Sequence, residues 1–209
     1  MELFFLIFTA LFSVVNPLGA MPVFLALTAN DAPEWRKSQA KKASLYVILI
    51  LIVFFLVGTY ILNFFGISIE GLRIAGGIII AKSGLDLLGT SGQYERGRAI
   101  SKKVKREAML KNDISFSPLA IPMLAGPGSI SLLISFALEI DIVTDYLIII
   151  SAIIAVGLIT FIVLIVSPRL MEKIGESGSS AITRMIGFIV LAIGIQFIAN
   201  GVIPMLRSI

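Results

Sequence analysis

The sequence predicts an all-α integral membrane protein of six transmembrane helices, and two observations carry that prediction. Hydrophobic residues make up 57% of the 209 residues and charged residues only 14%, whereas a soluble domain contains roughly a quarter charged residues. The apolar residues also fall into separate runs of roughly 20, the length that a helix needs to cross a ~30 Å hydrocarbon core. A soluble core of this size would not be built from segments so uniformly apolar.

Six apolar segments follow one another, with polar stretches between them too short for a second domain. They comprise residues 3–28, 44–65, 71–89, 114–137, 146–166 and 181–206. The first segment lacks the basic start and the small-residue cleavage site of a signal peptide, so we expect it to be retained. The chain has no cysteine and no histidine. It therefore offers neither disulfides nor thiol or imidazole metal ligands, and we expect no cofactor.

Lysine and arginine are distributed unevenly between the two sides of the predicted membrane domain. Leaving aside three near segment ends, thirteen lie after the first, third and fifth segments and one, Arg207, lies on the opposite side. The thirteen are Arg36, Lys37, Lys41, Lys42, Arg96, Arg98, Lys102, Lys103, Lys105, Arg106, Lys111, Arg169 and Lys173. This asymmetry predicts three cytoplasmic basic loops and both termini outside. It also accounts for the net charge of +4, so we expect anionic lipid headgroups as partners of these loops, and no nucleic acid.

The two halves of the chain share a weak internal pattern. Asn16-Pro17-Leu18 in the first segment is matched by Ser117-Pro118-Leu119 in the fourth, and Arg, Gly, Ile and Ala recur at the same spacings in 73–81 and 184–192. Because each half holds three segments, the second half crosses the membrane in the opposite sense, as in inverted-repeat transporters. We therefore divide the chain into a three-helix repeat at 1–90, a basic cytoplasmic linker at 91–113 and an inverted three-helix repeat at 114–209.

Prolines predict that the first and fourth segments are discontinuous helices. Proline inside a helix removes a backbone hydrogen bond and clashes with the preceding turn, while Asn or Ser before proline is typical of a helix start. The first segment contains Asn16-Pro17, and the fourth contains Pro118, Pro122 and then the run Gly126-Pro127-Gly128-Ser129. Lipid cannot satisfy the backbone groups freed at such depth. Either packed neighbouring helices satisfy them or a ligand does, and two matched breaks favour a ligand.

The expected binding site lies between these two breaks, near the middle of the membrane. It comprises Asn16, Pro17, Gly19, Ser117, Pro118, Gly126, Pro127, Gly128 and Ser129. A half-helix N-terminus attracts a carboxylate, and unwound carbonyls suit an ammonium group or a cation. The glycines predict close backbone approach and positive φ angles at residues 126 and 128. A small zwitterion such as glycine or alanine fits this description, with a small neutral solute or an ion as the alternative.

Lys82 and Asp86 form an ionisable pair inside the third segment. Four residues apart on a helix, they share one face and can pair, and ionisable groups at membrane depth are candidates for function. This pair lies towards the cytoplasmic end, where a lysine can extend to the headgroups. We interpret it first as a structural ion pair and second as a coupling or gating pair.

Two other classes of function compete with a carrier. An intramembrane protease would need Lys82 to deprotonate Ser83, but neighbouring helix residues point about 100° apart, so we expect no enzyme. A channel or exporter for small solutes, or a scaffold that transports nothing, is the alternative, although a selectivity filter usually needs rings of like residues. Saturable, gradient-dependent uptake would distinguish a carrier from a channel.

The stretches 16–28 (NPLGAMPVFLALT) and 118–130 (PLAIPMLAGPGSI) resemble the two signature stretches of the MarC family, also described as six-helix transporters of small neutral amino acids. The resemblance covers the full chain, including 73–77 and 196–201. It implies a multi-pass protein of a prokaryotic cell membrane that takes up glycine, alanine or serine, driven by a gradient of H⁺ or Na⁺. It carries binding roles over to Asn16, Pro17, Gly19, Ser117, Pro118, Gly126, Pro127 and Gly128.

Overall fold

The structure, a computed structural model, describes residues 2–28, 31–89, 113–140 and 142–207. Across these ranges all regular secondary structure is helical and no strand is formed. The predicted basic linker at 91–113 lies outside the described residues, apart from Asp113.

The first apolar segment forms two helices, α1 (Glu2–Val15) and α2 (Pro17–Leu27), separated by Asn16. Asn16 adopts left-handed φ and ψ angles of 48° and 62°, and these end α1. Pro17 then begins α2, because its fixed φ suits the first position of a helix. The predicted break in this segment is confirmed. The next helix, α3 (Pro33–Phe65), ends at Gly66, whose φ of 63° is a conformation that glycine adopts without strain.

The next helix, α4 (Ile69–Leu88), begins after Ser68, whose hydroxyl accepts a hydrogen bond from the Gly71 N–H at 3.1 Å. The fourth apolar segment again forms two pieces. The first, α5 (Ser115–Leu124), is a π-helical stretch whose backbone is non-helical at two residues, and the second is α6 (Pro127–Ala137). The two axes are bent by 62°, so the second predicted break is also confirmed.

Residues Val143–Arg207 form one long helical run that turns at Gly175, where φ is 67°. We name its two arms α7 (Val143–Gly175) and α8 (Ser180–Leu206). Each arm is long and apolar enough to cross a membrane.

Four stretches of the described chain are long and apolar enough to cross a membrane by themselves, namely α1 with α2, α3, α7 and α8. The bent pair α5–α6 makes a fifth if it is counted as one span. The remaining helix, α4, has the length of a span, but it carries Glu70, Arg73, Lys82 and Asp86. Four ionisable residues are costly in lipid, so length and composition alone do not assign α4 to the membrane.

The core lies where α1, α3, α5, α6 and α7 meet, and side chains such as Ile7, Leu51 and Ile153 are completely buried in it. The outer surface is apolar too. Phe64 is 84% exposed and Val143 75% exposed. Contiguous apolar surface of this kind is unfavourable in water, whereas lipid accommodates it. Both the core and the surface are therefore those of a membrane protein.

Helices α4 and α8 approach each other at backbone distance. A Cβ placed on Gly77 would lie 2.8 Å from the carbonyl oxygen of Gly194, and one placed on Gly187 would lie 2.7 Å from the Cβ of Leu87. Because Gly77 precedes Leu87 on α4 while Gly194 follows Gly187 on α8, the two helices run antiparallel.

Candidate functional site

Asn16 caps the start of α2. Its Oδ1 atom accepts a hydrogen bond from the Gly19 N–H at 3.0 Å, and its backbone carbonyl accepts one from the Ala20 N–H. Pro17 has no N–H to donate. Leu18 therefore carries the one N–H of this helix start that lacks an acceptor among the described residues.

The start of α6 has no side-chain cap. Gly126 precedes the helix and has no side chain to cap it, and Pro127 at the first position has no N–H. The N–H groups of Gly128 and Ser129, two buried residues, have no acceptor in the described part of the chain. The Ser129 hydroxyl donates to the Gly126 carbonyl at 2.9 Å. Two free backbone donors at a buried helix start suit the oxygen atoms of an anionic group.

Packing explains the two glycines of this helix start. A Cβ on Gly126 would lie 2.8 Å from the Pro122 carbonyl oxygen. One on Gly128 would lie 2.9 Å from Ile80 Cγ1 and 3.4 Å from Val14 Cγ1. The predicted close approach is therefore present, but the predicted positive φ angles are wrong. Gly126 has a φ of −84°, and the positive φ angles of the described chain occur elsewhere.

The two breaks lie against the same core. Val14, in the last turn of α1, contacts Gly128 at the start of α6. Val15 and Ala125, which flank the breaks, belong to one buried cluster. Ile80 of α4 adds a third wall beside Gly128. The structure therefore brings the breaks that precede α2 and α6 into one neighbourhood, and a binding role for these residues stays a prediction.

Ser117 and Pro118 lie apart from this neighbourhood, nearer the start of α5. Ser117 is exposed and has φ and ψ angles of −127° and 121°, and its peptide bond to Pro118 is cis. Leu119 belongs to a separate buried cluster with Phe24. After the break in this segment, the new helix begins at Pro127. The prediction that matched Pro17 with Pro118 as two helix starts is therefore wrong.

Lys82 and Asp86 lie on a face of α4 that does not meet the two breaks. Ile80 contacts Gly128, and Lys82 follows two residues later, about 200° around the helix. Both ionisable side chains are exposed. Both interpretations of the pair, as a structural ion pair and as a coupling or gating pair, stay predictions.

Two polar clusters at the ends of the α5–α6 span were missed by sequence reasoning. At one end, Arg73 of α4 donates to the Ser135 hydroxyl at 2.9 Å and pairs with Glu139. At the other end, Lys42 of α3 pairs with Asp113 at 2.9 Å. The partners are 62 to 71 residues apart in sequence, so no local pattern could join them. The one available signal was that acidic residues flank this segment on both sides.

The neighbourhood of the two helix starts supplies neutral hydrogen-bonding groups. The free N–H groups of Gly128 and Ser129 can donate to a carboxylate. The Ser13 carbonyl has lost its helical donor because the residue four positions later is Pro17, so it can accept from an ammonium group. Within the described ranges, no three His, Cys, Asp or Glu side chains gather to hold a metal ion. The neighbourhood therefore offers donors that suit a carboxylate and an acceptor that suits an ammonium group.

The chain resembles known membrane proteins along almost its whole length. The family model described as "MarC family integral membrane protein" matches residues 1–206. The chain is 39% identical over 203 residues to "UPF0056 membrane protein MJ1677" of Methanocaldococcus jannaschii, with 97% of each chain covered. It is 37% identical over 205 residues to "UPF0056 inner membrane protein MarC" of Citrobacter koseri, with 95% of this chain and 93% of that one covered. No solved structure matches the chain closely. The chain therefore belongs to the MarC family of integral membrane proteins.

Proposed function

We propose that the protein is a secondary active transporter that carries small neutral amino acids, such as glycine, alanine and serine, across the cell membrane of a prokaryote. The observation that carries this proposal is the pair of helix starts at Pro17 and Pro127, which lie against one core, with free N–H groups at buried Gly128 and Ser129. Discontinuous helices whose N-termini point at the substrate are typical of secondary transporters. A gradient of H⁺ or Na⁺ drives the transport, and no cofactor takes part.

Equal element lengths in the two halves support an inverted repeat of three spans each. Helices α2 and α6 are both 11 residues long and begin with proline, and α3 and α7 are both 33 residues long. Pro17 and Pro127 are 110 residues apart, as are Pro33 and Val143, the first residues of α3 and α7. We therefore assign α1–α2, α3 and α4 to one repeat and α5–α6, α7 and α8 to the other. This assignment makes α4 the sixth span.

The distribution of basic residues supports an orientation with both termini outside. Thirteen Lys and Arg residues lie in the loops assigned to the cytoplasm, against one on the other side. In this orientation, α2 runs from its break towards the cytoplasm and α6 runs from its break towards the outside. The N-terminal ends of both half-helices then meet near the middle of the membrane, which is where alternating access places a substrate.

The chemistry of the two helix starts favours a small zwitterion over other solutes. The N–H groups of Gly128 and Ser129 favour a carboxylate, and the free carbonyl of Ser13 favours an ammonium group. Because no charged side chain lies in the middle of either broken segment, a molecule without net charge leaves no uncompensated charge behind. The close packing around Gly126 and Gly128 restricts the side chain of the substrate to a small one.

We also infer that the protein is not an enzyme. The Ser83 hydroxyl, the nucleophile beside Lys82, donates to the Ile79 carbonyl of its own helix at 2.9 Å. Lys82 points about 100° away from it, so it is poorly placed to deprotonate that hydroxyl. A channel, an exporter or a scaffold is the rival to a carrier, and a flux measurement separates them.

Uptake of radiolabelled glycine into proteoliposomes tests the proposal. We expect saturable uptake that rises when an H⁺ or an Na⁺ gradient is imposed and that alanine and serine inhibit. Whichever gradient drives uptake identifies the coupling ion. Conductance that is insensitive to both gradients would indicate a channel, and the absence of any flux would indicate a scaffold.

Competition with glycine analogues tests the helix-start site itself. A hydrogen bond from a backbone N–H to a carboxylate contributes about 1.5–3 kcal/mol, so glycinamide and methylamine should bind at least about tenfold more weakly than glycine. Asn16→Asp should also weaken glycine binding, because it places a negative charge beside the carboxylate. Asn63→Asp, at an exposed position of α3, is the control and should leave binding unchanged. Glycinamide that competes as well as glycine would contradict the site.

A further inference from the structure

The two ion pairs of the described chain lie at the two ends of the α5–α6 span. Asp113 lies two residues before α5 and Glu139 two residues after α6. Each acidic residue pairs with a basic residue from the first half of the chain, Lys42 in α3 or Arg73 in α4. The broken span is therefore fastened to the other half of the molecule at both of its ends.

The cluster at Glu139 is the more buried of the two, and we call Arg73, Ser135 and Glu139 the outer latch. The Arg73 side chain is 17% exposed, and its guanidinium is shared between Glu139 and the Ser135 hydroxyl. One turn deeper, Ser131 packs against Gly76 of α4. Residues 128, 131 and 135 share one face of α6 by their helical spacing. The outer latch therefore covers the seam that leads from this end of the molecule down to the start of α6.

The cluster at Asp113 is anchored to α3 by two residues, and we call Lys42, Asp113 and Gln39 the inner latch. Asp113 accepts hydrogen bonds from Lys42 Nζ and from the Ser115 N–H, each at 2.9 Å. Buried Gln39 accepts one from the Ile114 N–H at 3.1 Å. Partial burial raises the pKa of Asp113, but the hydrogen bonds from Ser115 and Lys42 outweigh it and hold that pKa below its usual value. The carboxylate is therefore charged at neutral pH.

The two latches lie at opposite ends of the molecule. At a rise of 1.5 Å per residue, Lys42 lies roughly 35 Å along α3 from Phe65. Helix α4, which carries Arg73 in its second turn, begins directly after that end of α3. A hydrocarbon core is about 30 Å thick, so one latch belongs to each membrane surface.

We propose that the outer and inner latches are the two gates of an alternating-access cycle, each controlling access to the helix starts from its own side of the membrane. Because the gates are defined relative to that site, they rest on the proposed function. Releasing the outer latch frees the end of α6, and releasing the inner latch frees the start of α5. Both latches are formed in this structure, which is therefore closed on both sides. Weakening one latch favours the state that is open on that side over the closed state and over the state that is open on the other side.

Reporter cysteines test the gates without requiring a substrate. The chain has no cysteine of its own, so single replacements report directly. Ser131→Cys lies one turn below the outer latch. Ala43→Cys lies beside Lys42, in the buried cluster that contains Ile114 and Leu119. Both residues are buried, at 8% and 0% exposure. The full chain is reconstituted with defined orientation, and the labelling rate by a membrane-impermeant thiol reagent is measured from each side.

Each latch variant should change the two reporters in opposite directions. Arg73→Gln should speed labelling of Ser131→Cys about tenfold, because a charge-assisted bond is lost from a mostly buried guanidinium, and should slow labelling of Ala43→Cys. Lys42→Gln should do the reverse by up to about fivefold, because that pair is more exposed. The swapped pair of Arg73→Glu with Glu139→Arg should return both rates towards those of the parent. Lys37→Gln, an exposed lysine of α3, is the control.

A rise at the nearer reporter without a fall at the other would overturn the gates, and so would parallel changes or none. If Arg73→Gln fails to fold, Glu139→Gln and the swapped pair give the same comparison. The glycine uptake assay keeps the two proposals separate. Reciprocal labelling without uptake would support the gates and count against the amino acid substrate, whereas saturable uptake with unchanged labelling would overturn the gates alone.

Discussion

Asn16 can cap the start of α2 only because residue 19 is glycine. A Cβ on Gly19 would lie 2.9 Å from the Cγ of Asn16, so a larger residue would push the side-chain amide out of its capping position. Pro17 excludes the other solution, a continuous helix, because it has no N–H to donate. Asparagine also enters the left-handed region more readily than most residues, which the φ of 48° requires.

We expect Gly19→Ala to lower the free energy of unfolding by about 1 kcal/mol, because it displaces the Asn16 cap, and to weaken glycine binding. Gly71→Ala is the matched control. Gly71 occupies the same position after a capping residue, but its Cβ would lie 3.3 Å from the Ser68 hydroxyl, a contact that a small shift relieves. Thermal unfolding in detergent and glycine titration measure both effects. Equal losses in the two variants would contradict a special role for the Asn16 cap.

Local chemistry predicted the break at Asn16 but not the position of its counterpart. An Asn-Pro pair followed by apolar residues specifies a cap and a first helical residue within four positions, and the structure has both. In α5 the two prolines distort the backbone from Ser117 to Ile121, and the new helix starts only at Pro127. The hydrogen bond from Arg73 to Ser135 joins residues that are 62 apart in sequence, so no local sequence pattern could predict it.

Helices α4 and α8 are joined by backbone contact more than by large side chains. Glycines recur every seven residues along both helices, and each faces the backbone of the other helix: Gly77, Gly84, Gly187, Gly194 and Gly201. In lipid no hydrophobic force draws helices together, so small residues that allow close approach supply van der Waals contact instead. The sequence pattern matched Gly76 with Gly187, but Gly76 faces Ser131 of α6 and not α8. The pattern could not reveal that α4 and α8 pack against each other, because that contact joins opposite halves of the chain.

We expect Gly77→Ala to destabilise the protein by about 1–3 kcal/mol through overpacking. The added Cβ would lie 2.8 Å from the Gly194 carbonyl oxygen, and backbone cannot swing aside as a flexible side chain can. Gly89→Ala, at the end of the same helix, should be nearly neutral, because its added Cβ would lie 3.8 Å from the Leu85 carbonyl oxygen. The fraction that stays monodisperse in detergent after heating measures the difference. A Gly77→Ala variant as stable as the parent would contradict a close-packed α4–α8 pair.

At the scale of the whole molecule, apolar length predicts six spans, and the described chain has four, or five if α5–α6 counts as one, by length and composition. Helix α4 makes the difference. A hydropathy criterion treats every charged side chain as if it faced lipid, whereas part of α4 contacts other helices. One face of α4 packs against α8 and another against α6, and Arg73 is paired with Glu139. The pairing of Arg73 lowers the cost of that one charge in a membrane, whereas Lys82 and Asp86 are exposed. The contacts of α4 with α6 and α8 join distant parts of the chain, and the sequence does not display them.

The proposed orientation of the whole molecule rests on its basic loops and can be measured with cysteines in the cysteine-free chain. Cysteines at Ser101 and Ser179 should be protected from an impermeant thiol reagent in intact cells, because basic loops remain in the cytoplasm. One at Thr144, in the first turn of α7, should be labelled. Permeabilised cells provide the control, since all three sites should then react. The opposite pattern would place both termini and the outer latch on the cytoplasmic side. It would contradict the proposed orientation while leaving the matched half-helices α2 and α6 intact.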